Sequence, residues 1–108
     1  MFKLIFIVPI LINLWASSPT RADMGDRRQA ELIHLLKHDC GSCHGMTMKG
    51  GLGKPLSVKA LANRDVQELT DIILEGIPGT PMPPWQKFLN PNEVRWIVRV
   101  LKDGSLKQ

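Results

Sequence analysis

The chain has 108 residues, a formal net charge of +4, eight prolines, nine glycines, no tyrosine and only two cysteines. That length makes one small domain and excludes a large self-sufficient core, because chains this short bury a modest fraction of their surface and usually need a staple. The lysines and arginines are scattered singly, which excludes the clustered basic face of a nucleic-acid binder.

The N-terminus reads "MFKLIFIVPILINLWASSPTRAD": Lys3, then residues 4–15 almost all apolar, then the small and polar "ASSPTRA". This order is that of a secretory signal peptide. The apolar run falls short of the ~18 residues of a membrane span, and Pro9 and Asn13 interrupt it. Cleavage is expected after Ala22, with Thr20 and Ala22 as the small pair, and Ser18 as second choice. The remaining domain, 23–108, loses Lys3 and Arg21 but no acidic residue, so its charge falls from +4 to +2.

Residues 26–38, "DRRQAELIHLLKH", predict a first helix with Asp26 as N-cap. Ala30, Ile33 and Leu36 share a face, with Leu32 and Leu35 beside it. From Gly45 to Leu61 glycines and prolines recur without a sustained period, which predicts loop. "DVQELTDIILEG" predicts a second helix, with the capping-box pair Asp65 and Glu68, a stripe of Leu69, Ile72 and Ile73, and a C′ glycine at Gly76. The prolines of "IPGTPMPPWQKFLN" force extended and turn geometry. "NPNEVRWIVRVLKDG" predicts the third helix: Asn90 cap, Pro91 at N1, Glu93 completing the box, Gly104 closing it, and Val94, Ile97, Val98 and Leu101 as its apolar face. The expected fold is all-α, three main helices and two long loops of the kind that carry function.

The two cysteines stand in "HDCGSCHGM", as Cys40-Gly-Ser-Cys43-His44. A zinc site wants about four ligands, and there is no second cysteine pair. A thioredoxin-like redox pair wants a βαβ setting, which the predicted helices do not supply. The third reading is covalent haem attachment, for which C-x-x-C-H is the signature. Near-helical chain places both thiols on one side, each able to form a thioether to one vinyl group, and His44 follows as proximal iron ligand. Haem would also supply the missing core.

For the opposite face of the iron the candidates are Met46, Met48, Met82, His34 and His38. Met46 and Met48 follow His44 too closely for the chain to round the haem edge, and His38 precedes Cys40 by only two residues. His34 reads as an ordinary helix histidine. Met82 lies far downstream in "GTPMPPW", where flanking prolines reduce the entropy lost on fixing the loop. His/Met ligation raises the reduction potential and leaves no open coordination position, which favours electron transfer over catalysis.

With these residues the chain resembles the class I cytochromes c, over the whole of 23–108. The resemblance implies a fold of three main helices around one haem, thioethers at Cys40 and Cys43, His44 as proximal and Met82 as distal ligand. It also implies that Pro55, in "GKPL", offers its carbonyl to the proximal imidazole. The family often has a glycine and an aromatic where the terminal helices cross. Leu32 and Leu36 stand there instead, with Trp96 supplying bulk and the crossing wider or shifted. More narrowly, "KHDCGSCHGMTMKGGLG" with "EGIPGTPMPPW" resembles cytochromes c55X, small periplasmic cytochromes associated with the haem-d1 nitrite reductase of denitrifying bacteria. That implies a monomeric electron donor to the reductase, or a protein that helps make or deliver its haem d1. Lys49, Lys54 and Lys87 fall in the two loops expected to frame the haem edge, as docking groups or as solubilising charges.

Overall fold

A computed structural model of the chain describes residues 24–106. The expected signal peptide and its cleavage site lie outside them. Helix α1, Asp26–Leu35, continues through a π-turn, Leu36–Cys40, into α2, Gly41–His44. The junction residues Leu36, Cys40 and Gly41 all keep right-handed helical dihedrals. The rod therefore passes the predicted end at residue 38 and stops at Gly45, where φ is +91°. A π-turn adds one residue to the helix. Leu32, Leu36 and Gly41 all stay buried although their spacing is four and then five.

Two local expectations for α1 are corrected. Gly25, extended at φ −57° and ψ 151°, holds the N-cap position, and Asp26 is the first helical residue. Its charge there faces the positive end of the helix. The buried line is Leu32 and Leu36, both with no exposed surface, while Ile33 and Leu35 are half-buried and Ala30 is exposed.

One turn of helix, α3 (Val58–Leu61), forms where the sequence predicts only loop; the Ser57 hydroxyl accepts the Ala60 N–H at 3.2 Å. Lys102 Nζ donates to the Leu61 carbonyl at 2.7 Å and to the Arg64 carbonyl, tying this turn to the last helix. Helix α4 spans Val66–Glu75, and the Asp65 carboxylate accepts from the N–H groups of Gln67 and Glu68. Glu68, the other member of the predicted capping box, also pairs with Arg64 at 2.6 Å. Leu69, Ile73 and Leu74 pack on the core, and Thr70 is fully buried with its hydroxyl donating to the Val66 carbonyl at 2.7 Å. Ile72 is half-buried.

Helix α5, Pro91–Asp103, forms as its signals predict, with the reciprocal capping box of Asn90 and Glu93 and a left-handed Gly104. Val94, Ile97, Val98, Val100 and Leu101 bury its apolar face. Leu32 and Leu36 meet this face, joined by Met48, Leu61 and Leu89. No strand occurs among the described residues, and the fold is all-α.

Between α1 and α5 lies an open groove of about 640 Å³, lined among others by Ala30, Ile33, half-buried Trp96 and Val100. Beside it, Arg28 Nε donates to Glu93 Oε1 at 2.7 Å while Glu93 Oε2 accepts the Asn90 N–H at 3.0 Å. One carboxylate thus caps α5 and anchors α1. The Arg28 guanidinium holds the Glu93 carboxyl below the usual carboxylate range. A depressed carboxyl stabilises the fold fully above its ordinary pKa of about 4.3, and this contribution is lost as pH falls through the folded-state value. Glu93→Gln is expected to lose about 0.5–1 kcal/mol at neutral pH, the scale of a solvent-screened ion pair. In denaturant titrations the gap to wild type should close below about pH 4. A gap that persists undiminished in acid would contradict the assignment.

Candidate cofactor-binding site

The end of the helical rod presents Cys40, half-buried, and Cys43, exposed, one turn apart, with His44 as the last helical residue. The pair forms no disulfide. Burial, with Asp39 and Cys43 nearby, pushes the Cys40 thiol up to about 11. Redox-active Cys-x-x-Cys pairs need the opposite, a depressed thiol. No group of three or more His, Cys, Asp or Glu converges among the described residues, so the two thiols and His44 are not a zinc centre.

His44 is fixed by the loop that follows it. Its Nδ1 lies 2.7 Å from the Lys54 carbonyl. A carbonyl only accepts, so Nδ1 carries the proton and Nε2 is left with the lone pair that a metal ligand needs. The loop can come this close because of its glycines. A Cβ on Gly53 would stand 2.8 Å from His44 Nδ1 and 2.9 Å from Cε1, and one on Gly51 would stand 2.7 Å from the Cys43 carbonyl. Returning over the helix end, Gly50 N–H and Gly53 N–H donate to the carbonyls of His44 and Cys43, both at 2.8 Å. The helix terminus is thereby satisfied by the same loop that orients the imidazole.

This geometry corrects the expectation for Pro55: the acceptor is the carbonyl of Lys54, one residue earlier. Proline biases the residue before it towards extended backbone, so Pro55 helps set the Lys54 carbonyl rather than providing it. The Pro55 ring also borders Gly50, whose added Cβ would stand 3.2 Å from Pro55 Cγ.

Met82 is half-buried in the proline loop, and its backbone is held at both ends. Its N–H donates to the Thr80 hydroxyl at 3.3 Å and its carbonyl accepts from Ile77 at 3.2 Å. Gly76 ends α4 with φ +68°, and a Cβ there would meet the Met82 carbonyl oxygen, Pro83 C and Pro84 N, each at 2.8 Å. The loop then returns along α4 through Trp85 N–H to Ile73 and Gln86 N–H to Leu74. The methionines nearer His44 are otherwise engaged. Met48 is a 2%-exposed core residue with φ +58°, and Met46 brings its sulfur beside Gly41. His34 and His38 lie against each other on the exposed side of the rod.

The residues fit a haem. One imidazole nitrogen is freed for iron by a fixed tautomer, two thiols stand beside it on one turn, and a thioether sits on a braced loop. Apolar side chains on both loops, Leu52 at 94% exposure and Phe88 at 69%, suit a flat apolar group. Lys49, Lys54 and Lys87 are exposed on these loops. Sequence reasoning missed the Lys54 carbonyl and the part played by Gly51, Gly53 and Gly76. The glycine run directly after Cys-x-x-Cys-His was the available signal.

The family model described as cytochrome C oxidase, cbb3-type, subunit III matches residues 27–99. A cytochrome c55X of Paracoccus denitrificans is 48% identical over 92 residues, covering 85% of this chain and 89% of the relative. A cytochrome c55X of Pseudomonas aeruginosa is 46% identical over 80 residues, 74% of this chain and 67% of the relative. The solved structure of a c-type cytochrome NirC superposes with a TM-score of 0.77 at 44% identity, covering 79% of this chain and all of the other. With a helical rod ending in Cys-x-x-Cys-His, no strand among the described residues and relatives at this identity, the chain belongs to the class I cytochromes c, electron carriers built on haem c, and within them to the cytochromes c55X.

Proposed function

We propose that this chain is an exported, monomeric, one-haem carrier that delivers single electrons to a haem-d1 nitrite reductase. Residues 1–22 direct it to the periplasm and are cleaved after Ala22. No helix among the described residues is long and apolar enough to cross a membrane. Cys40 and Cys43 would hold the haem covalently, with His44 Nε2 and the Met82 thioether as the groups that would bind its iron. When bound, the haem supplies an iron that gains and loses one electron.

The observation that carries this reading is the Nδ1–carbonyl bond of His44 to Lys54. It makes the imidazole a one-sided ligand with a set ring plane, and a fixed ligand lowers the rearrangement that each electron transfer demands. The brace of Gly76 and Thr80 on Met82 serves the same end on the other ligand. Thioether ligation favours the reduced state, and a filled coordination sphere keeps substrates off the iron. The nitrite reductase rests on the c55X relatedness; Lys49, Lys54 and Lys87 offer an acidic partner a basic rim.

Two outcomes are expected. Gly53→Ala drives a methyl into the His44 ring and weakens its bond to Lys54, making the imidazole less basic. The potential should rise by up to about 40 mV, the one-electron equivalent of a hydrogen bond of about 1 kcal/mol, and the Nδ1 proton should exchange faster by NMR. Unchanged potential and exchange would remove the Lys54 carbonyl from the account. In stopped flow, the reduced protein should be oxidised by the reductase in repeated turnovers. The second-order rate should fall as salt rises, and fall further in Lys54→Glu or Lys87→Glu. No transfer at any ionic strength, together with one-to-one binding of free haem d1, would replace the carrier with a haem-d1 delivery protein.

A further inference from the structure

His34 and His38 take no part in the cofactor site, yet their rings are in contact: the centroids are 4.2 Å apart and the planes tilted by 44°. Both side chains are exposed. Neither imidazole has a hydrogen bond to another protein group among the described residues, so their nitrogens are available to solvent.

The helix geometry explains the close approach. In an α-helix a step of four residues overshoots a full turn of 3.6. His34 lies in α1 and His38 in the π-turn Leu36–Cys40, which has more residues per turn. The four-residue step between them therefore comes nearer to one full turn, and the second imidazole lies almost directly over the first. Paired histidines four apart on one helix face are the arrangement by which H-E-x-x-H helices hold a metal ion.

The two rings are close enough to share one ion. An ion bound to a ring nitrogen at about 2.0–2.1 Å stands roughly 3.2 Å from that ring's centre. Two imidazoles in neighbouring positions then have centres about 4.5 Å apart at a right angle and about 5.2 Å apart at the tetrahedral angle. The observed 4.2 Å lies below both, and small side-chain rotations reach either arrangement. Right-angled nitrogen coordination is the tetragonal preference of copper(II) and nickel(II), with copper the tighter binder. No third His, Cys, Asp or Glu completes a cluster here, and the exposed position leaves the other coordination sites to water.

We propose that His34 and His38 form a two-imidazole surface site for a tetragonal divalent transition-metal ion, copper(II) foremost, separate from the haem iron. The test is titration of the mature, haem-loaded protein with copper(II) alone in a non-coordinating buffer, followed by calorimetry and electron paramagnetic resonance. One equivalent should bind with a tetragonal copper signal split by two nitrogens, while the haem spectrum stays unchanged. His34→Gln and His38→Gln, both at exposed positions, should each lower the affinity by about 10²-fold, the loss expected when one arm of a two-arm binder is removed. Zinc(II) should bind more weakly than copper(II) and nickel(II) more strongly than cobalt(II). Absence of stoichiometric binding, or affinity unchanged in the double variant, would overturn the site.

Discussion

The bond from His44 Nδ1 to the Lys54 carbonyl is the contact on which the site depends. It fixes the tautomer, the ring plane and the direction of the one free lone pair. Making it requires the chain to turn back on the helix end, and backbone this close leaves no room for side chains at Gly51 and Gly53. The same return satisfies the last carbonyls of the helix. Attachment motif, glycine run and proline are thus one structural unit rather than three neighbouring features.

The rest of the fold connects that unit to the methionine loop. The rod carrying Cys40, Cys43 and His44 packs on α5 through Leu32 and Leu36, and α5 packs on α4, whose end carries Gly76 and the loop of Met82. Arg28, Glu93 and Asn90 tie the starts of α1 and α5 together. In a chain with so small a core, these ties add to the packing that Met48 and Leu89 bring from the loops. The long connections are held by backbone hydrogen bonds, to helix ends as with Trp85 to Ile73 and Gly50 to His44, and within the loop as with Leu56 to Met48.

What was legible in the sequence follows from how local each signal is. Helix α5 could be read nearly to the residue because Asn90, Pro91, Glu93 and Gly104 act within a turn of where they stand. Cys-x-x-Cys-His named its chemistry for the same reason. Helix α3 escaped because one turn is too short to show a period. The π-turn escaped because an inserted residue leaves no mark in composition, and it keeps Gly41 in the buried line of Leu32 and Leu36. The motif around Pro55 pointed to the right loop but to the wrong carbonyl, since backbone direction there is set by contacts with Gly50 and Gly53.

The proposed ligation of the haem iron by Met82, on its braced loop, decides between a closed and an open iron. The most direct measurement is the long-wavelength absorption of the oxidised, haem-loaded protein, where an iron–methionine bond gives its own charge-transfer band. Wild type, Met46→Ala and Met48→Leu should all show the band. Met82→Ala should lose it while keeping its haem attached through Cys40 and Cys43. A Met82→Ala protein that retained the band would contradict the account.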